Sequence, residues 1–470
     1  MRVAVREFGF AALLVAGTAV AGPAVAATTL QDALVEVYNS NPTLLAQRAS
    51  LRATDEDVPQ ALAGWRPTVT MSASGGRDIG NESDISSSIF GTSKAFTPYA
   101  HNEFSGSVQI TQPIYKGGAT RANVHKAKDS VYAARATLIG TEETQFATAI
   151  SDYVTVIEDQ QLLALNKNNE QVLSVQLRAT QDQYRVGELT QTDVAQAQAA
   201  LDGAIAQVAT AQGNLASANA AYEHDIGSPP VDLTPPSELD LGVKTDDDVS
   251  RLAAKNNANV VAAQFNLAAA QDNVDLQFAG LMPQVSGVLT GTRTNNQQVG
   301  LIQTNDAVAE LEVTIPLYQG GEEYSKVRQA KEQVQQAEQQ LIDARLASVS
   351  SAVQAYETLL ANDAATVSDR SQVAADQIAL EGEEREALVG TATTLDVLIQ
   401  EQDLLQARTS LVQNLAQAVA SSYGVAAAMG QLTARDLALN VPLYDETAYY
   451  DSVANSLFGV SVPAPGGGKQ

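Results

Sequence analysis

The chain has 470 residues, no cysteine, and a formal charge of −26 from 28 basic and 54 acidic side chains. Without cysteine there are no disulfides, thiolate metal sites, thiol catalysis or lipid-acceptor thiol, and the acidic balance argues against a basic surface for nucleic acid or anionic lipid. Aromatic residues are only 5% of the chain and alanine and glutamine dominate long stretches, which suits long, slim helices better than compact cores.

The chain opens on a secretory signal. Arg2 and Arg6 precede an apolar run from Phe8 to Val20, then Ala24, Val25 and Ala26 form a small-x-small cleavage site, so the mature chain starts near Ala27. Removing Arg2, Arg6 and Glu7 leaves a charge of −27. The apolar run is short for an anchor and ends in Gly22 and Pro23. No later segment approaches the ~20 consecutive apolar residues of a membrane helix. A membrane crossing would have to be made by strands.

The remainder is an internal duplication. At an offset of 203, Pro113, Tyr115, Gly117, Gly118, Gly187, Thr190, Asp193, Val194 and Gly227 recur as Pro316, Tyr318, Gly320, Gly321, Gly390, Thr393, Asp396, Val397 and Gly430. Upstream the offset is 216, pairing Asn41, Leu51, Val58, Gly64 and Pro67 with Asn257, Leu267, Val274, Gly280 and Pro283. The 13-residue slip between Pro67 and Pro113 marks a variable loop. The division is therefore a signal (1–26), a first repeat (27–228), a Pro-rich linker (229–248), a second repeat (249–431) and a tail (432–470). Pro463, Pro465 and three glycines make the end of the tail read as disordered.

Each repeat starts with a helix, Asn41–Trp65 and Asn257–Leu281, followed by a strand pair. Thr68–Gly75 alternates, with Val69, Met71, Ala73 and Gly75 on one face. Phe104–Thr111 does the same with Phe104, Gly106, Val108 and Ile110. The second repeat supplies Val285, Gly287 and Leu289, then Ala309, Leu311, Val313 and Ile315 opposite Glu310, Glu312 and Thr314. These are four strands of about 9 to 11 residues, each with one apolar and one wet face, which suits a bilayer. A half-buried soluble sheet would alternate equally; export, duplication and helix length favour the membrane. Four strands leave open edges that lipid does not tolerate, so a barrel must be shared between chains.

Where strand gives way to helix, Pro113 and Tyr115 precede Gly117 and Gly118, and Pro316 and Tyr318 precede Gly320 and Gly321. An interfacial tyrosine followed by glycines that permit a sharp turn fits a membrane boundary, as does an ordinary strand cap.

No proline occurs between Gly118 and Gly227 or between Gly321 and Gly430. Val124, Ala127, Val131, Ala134 and Leu138 step by three and four, as do Val327, Ala330, Val334, Ala337 and Leu341, continued by Val349, Val353, Tyr356 and Leu360. This is a coiled-coil seam with small knobs. The span from Gly118 to Gly187 makes a helix of roughly 100 Å. Turns at Gly187 and Gly390 then send a shorter helix back. Thr190 with Asp193, and Thr393 with Asp396, have capping-box spacing; capping alone and capping combined with a gating role both fit.

Taken together, the two Pro, apolar, Tyr, x, Gly, Gly boundaries and the two turns of Gly, Thr, then Asp-Val resemble the TolC-like family of outer-membrane channels of type I secretion and drug efflux. The resemblance spans nearly the whole mature chain. It implies a mainly α protomer that contributes four barrel strands, and a homotrimer with a 12-stranded membrane β-barrel continued by an α-helical periplasmic tunnel. It also implies partners, namely a periplasmic adaptor and an inner-membrane transporter, contact with outer-membrane lipid, and no cofactor or catalysis. By position, Thr192 and Asp193 match a polar link at the first tip and Asp396 an acidic ring that closes the tunnel. The family archetype's Tyr, Arg and second ring Asp are replaced here by Ala387, Ala392 and Ile399.

An enzyme is disfavoured, because His101, His125 and His224 are far apart and no phosphate-cradling loop follows a buried strand. A purely structural periplasmic coiled-coil protein or a periplasmic adaptor would explain the helices but not four strands at equivalent places. The missing lipid-acceptor cysteine leans toward the secretion-type members.

Overall fold

The computed structural model describes residues 28–298 and 301–462. The expected signal, 1–26, and the tail end from Pro463 lie outside the described residues. In chain order the elements are α1 (Leu30–Ser40), α2 (Pro42–Asp55), α3 (Asp57–Leu62), β1 (Thr68–Ser88), β2 (Gly91–Lys116), α4 (Ala119–Arg185) and α5 (Gln191–Ile226). Then come α6 (Asp246–Asn256), α7 (Ala258–Ala279), β3 (Gln284–Gln298), β4 (Leu301–Thr314), α8 (Glu322–Val389), α9 (Thr394–Ala428) and α10 (Ala448–Val453).

The proline-free spans are the longest elements. At 67 and 68 residues, α4 and α8 are each about 100 Å long. The returning helices, α5 and α9, have 36 and 35 residues and cover only the half nearer the tip. The other half of α4 packs on α2, α3 and α7, and α7 also packs on α8. Short helices placed end to end thus match one long helix.

Small seam residues let the axes approach: Ala127, Val131 and Leu138 on α4, and Val327, Ala330, Ala337 and Leu341 on α8, are buried. Farther along α8 the expected stripe drifts. Leu360 is exposed, and Ala352, Tyr356 and Leu359 pack with Val249 and Ala253 of α6 and Val425 of α9. An α-helix of 3.6 residues per turn slips steadily against a 3.5-residue seam, so the buried face rotates.

Two other expectations change. The single helix Asn41–Trp65 breaks after Asp55, because Pro59 has no amide to donate to the Asp55 carbonyl and its ring crowds that oxygen. Three helices were unforeseen: α1 and α6, each of 11 residues and capped by Thr29 and Thr245, and the six-residue α10 in the tail.

The main core lies midway along the helices. Leu34 and Val37 of α1, Phe146, Ile150 and Tyr153 of α4, Tyr222 and Ile226 of α5, and Leu432 and Ala434 of the tail form one buried cluster. The fully buried Tyr153 places its hydroxyl 2.8 Å from the carbonyls of both Thr28 and Thr234, pinning the linker beside the N-terminal segment. Tyr153→Phe is expected to loosen that linker by about 1 kcal/mol, seen as trypsin cleavage at exposed Lys244 rising roughly fivefold, with the long helices unaffected.

The sheet runs β1-β2-β3-β4, antiparallel throughout. Both hairpins keep one register: Val69 opposite Ile110 recurs as Val285 opposite Val313, the same offsets of 216 and 203. The strands have 21, 26, 15 and 14 residues, longer than the 9 to 11 expected. Beyond Phe104, β2 pairs only with β1. The expected variable loop is thus a two-stranded ribbon projecting past the sheet.

Candidate functional site: sheet faces, junction and tips

Register assigns every strand residue to a face. On one face lie Val69, Met71, Ala73 and Gly75, then Phe104, Gly106, Val108 and Ile110, then Val285, Gly287, Leu289 and Gly291, then Ala307, Ala309, Leu311 and Val313. Val69, Met71, Phe104, Leu289, Leu311 and Val313 are exposed there. Such an apolar band on a twisted antiparallel sheet is a lipid-facing surface. The opposite face carries Ser72 and Ser74, whose Oγ atoms lie 2.8 and 2.7 Å from those of Ser107 and Ser105. It also carries Glu103, Asp306, Glu310 and Glu312. This is the water-facing surface of a barrel wall.

The junction sits at the helical end of that wall. Pro113 lies at a register shift in β2, where Ile114 is left unpaired and Tyr115 resumes opposite Val285. Gly117 and Gly118 have φ of +63° and +94°, and Gly320 and Gly321 have +69° and +87°, so the left-handed turn permitted by glycine is used in both repeats. The two junctions differ in their strands. β2 continues to Lys116 because β3 pairs with it past Thr111, where β1 has ended, whereas β4 has no partner on its far side and ends at Thr314, leaving Pro316 and Tyr318 outside the ladder. Trp65, Tyr115 and Tyr318 are all exposed here, at the level where aromatic side chains meet the headgroups.

At the far end, each tip turn is built alike. Gly187 and Gly390 have φ of +84° and +80°. Asp193 Oδ2 accepts from the Thr190 amide at 2.8 Å and its hydroxyl at 2.7 Å; Asp396 Oδ2 accepts from Thr393 at 2.8 and 2.6 Å. The amides of Asp193 and Asp396 donate back to the threonine hydroxyls. These hydrogen bonds to Thr190 and Thr393 hold both carboxyls below their ordinary pKa. The caps therefore act fully above the ordinary carboxylate pKa and fail as pH falls through the lowered values. Thr393→Ala is expected to cost the first turn of α9 about 1 kcal/mol, read as faster amide exchange confined to that turn.

Thr192 is exposed beside the first cap, and no hydrogen bond joins the two tips among the described residues. Sequence reasoning assigned no role to Val186, Leu388 and Val389, apolar residues of the two tip turns that stand largely exposed; their place within two residues of each turn glycine was the available signal.

Residues 33–227 and 249–431 match the outer membrane efflux protein family. The chain is 32% identical, over 98% of both chains, to the outer membrane efflux protein BepC of Brucella suis biovar 1 (strain 1330). It is 25% identical to the outer membrane protein TolC of Vibrio cholerae, covering 86% of this chain and 92% of that one. In fold it is similar to the CmeC outer membrane channel of Campylobacter jejuni, with a TM-score of 0.74 at 14% identity over 91% of this chain and 89% of that chain. With both repeats matched and the lipid-facing band, glycine turns and long helices in place, the chain belongs to the outer membrane efflux protein family.

Proposed function

We propose that three copies of this chain form one outer-membrane exit duct, a shared barrel of three times four strands continued by a helical tunnel into the periplasm. The observation that carries this is the open-edged sheet. β1 and β4 each lack a neighbour, and lipid cannot satisfy an open edge. Because β1 and β2 correspond to β3 and β4, the edge β4 of one copy meets β1 of the next in the register that joins β2 to β3. The units are the first repeat to residue 228, a linker to 248, a second repeat to 431 and the tail.

The tunnel tips then meet a periplasmic adaptor and an inner-membrane transporter, which supplies the energy and chooses the cargo. Exposed Val186, Leu388 and Val389 suit such a contact. Thr192, Asp193 and Asp396 gate the entrance, and three copies of Asp396 draw cations into a narrow mouth through its focused field. In planar bilayers the reconstituted channel is expected to conduct and to favour cations over anions. Asp396→Asn should weaken that preference or the block by multivalent cations. Unchanged selectivity and block would remove Asp396 from the gate, and absence of conductance would contradict the duct.

A further inference from the structure

The duplicated register contains a feature that neither repeat shows alone. Arg77 and Arg293 are each the tenth residue of their strand, and each stands opposite an asparagine, Asn102 and Asn305. Both pairs obey the repeat offsets, 216 for the arginines and 203 for the asparagines. Both lie on the lipid-facing side, one step beyond the apolar band, after Gly75 and Phe104 in the first hairpin and after Gly291 and Ala307 in the second. Nine residues of strand advance about 30 Å. At a tilt of ~40° that is a rise of roughly 23 Å, about the height of a barrel's lipid band. The junction with Trp65, Tyr115 and Tyr318 marks one membrane surface, and the arginines mark the other.

Charge is sorted by face. Arg77 and Arg293 lie on the outward face, as does Lys94 farther out on the ribbon, whereas Asp78, Glu103, Asp306, Glu310 and Glu312 lie on the water-facing side. Among the described side chains no carboxylate shares the outer face of the sheet with the arginines. The Arg293 guanidinium donates to Gln303 Oε1 at 3.1 Å, and Gln303 in turn donates to Asn305 Oδ1. That contact orients the group and leaves most of its five donors available. The whole-chain charge of −26, which argues against a basic surface, hides this local row.

We infer that Arg77 and Arg293, each with its asparagine, bind the phosphate groups of outer-leaflet lipid headgroups. A planar guanidinium matches phosphate oxygens in a paired fashion, and the neighbouring amide supplies a further donor. In the trimer proposed above the two sites recur as a ring of six at one height. Each site is nevertheless complete within one chain.

The test counts lipids on the delipidated, full-length assembly by native mass spectrometry, using bis-phosphorylated lipid A and the same lipid stripped of phosphate. The phosphorylated form is expected to bind at least about fivefold better, the factor expected of one basic residue at a charged surface. Arg77→Gln with Arg293→Gln should remove the difference, and Arg77→Lys with Arg293→Lys should keep part of it. Each single Gln variant, which perturbs assembly less, should lose about half of the phosphate-dependent lipid. Equal binding of the two lipids to the unaltered protein, or a preference that survives the Gln substitutions, would overturn the inference. Because the same spectra report subunit number, a trimer with no phosphate preference would sink this inference alone, and a monomer with the preference would sink only the trimer.

Discussion

Gly117→Ala is expected to abolish most of the stable assembly, while Gly320→Ala, its counterpart in the second repeat, should leave it largely intact. Both positions have positive φ, +63° and +69°, so an added Cβ costs about 1 kcal/mol in either. The surroundings differ. At Gly117 the new carbon would lie 2.5 Å from Met282 Cβ and 2.6 Å from the Ala279 carbonyl, whereas at Gly320, beyond its two chain neighbours, none of the described residues comes within 4 Å. Neither obstacle is the far end of a flexible side chain, so the turn between α7 and β3 must shift, adding about 1–3 kcal/mol of overpacking. That turn sets where β3 enters the sheet, and an assembly carries the error in every copy. Heat dissociation on gels would report it; equal midpoints for the two variants would show that the α7–β3 turn is not held by Gly117.

The second large effect is on pH dependence. Glu143 of α4 is buried at the central core, and burial pushes its carboxyl up to about 8, with Asp436 and Glu142 adding like charge and the Leu432 amide opposing. Between its ordinary value of 4.5 and about 8, the folded chain holds a proton that the unfolded chain has released. Raising the pH through that window therefore destabilises the fold, by up to ~1.4 kcal/mol per pH unit for one group. The contribution is complete below the ordinary value and gone above the raised one. Burial raises Asp55 to about 6 and Asp152 to about 7, so all three act in the same sense. The channel is expected to be more stable at pH 5.5 than at pH 8, and Glu143→Gln should flatten much of the slope by keeping the site neutral. Parallel stability curves for wild type and Glu143→Gln would show that Glu143 is already charged in the fold.

Much of this architecture is legible in the sequence because it is periodic and written twice. The proline-free spans, the glycines at 187 and 390, and the apolar alternation of Val69 to Gly75 each report a local physical need, and their recurrence makes them readable. What failed to show was local periodicity without a single buried face. Gly75 ends the apolar band and Arg77 stands at its polar border, beyond which the ribbon leaves the lipid, so Arg77, Asp78 and the residues after them keep no apolar period, although they continue the strand. The helices α1 and α6 span only three turns each, yet Leu30, Ala33, Leu34 and Val37 step by three and four, and Thr29 with Asp32 and Thr245 with Asp248 carry capping spacing, signals that would have revealed them.

At the junction, glycine's backbone freedom could be read from Gly117, Gly118, Gly320 and Gly321. The crowding that separates Gly117 from Gly320 could not, because it comes from Met282, which is distant in sequence. The outward arginines became visible only when register assigned a face to each strand residue. At the tips, sequence identified the caps, but the exposure of Val186, Leu388 and Val389 depends on where the long helices stop relative to their neighbours.

The central claim is that β4 of one copy pairs with β1 of the next in the register of β2 with β3. Ile110 stands opposite Leu289, so the repeat offsets place Val313 of one copy opposite Ala73 of its neighbour. The chain has no cysteine, which makes the cross-link unambiguous. Ala73→Cys combined with Val313→Cys, oxidised in intact outer membranes, should give covalent dimers and closed trimers on denaturing gels, and neither single variant should give any. A doubly substituted protein that inserts and conducts yet remains monomeric on those gels would contradict the shared barrel.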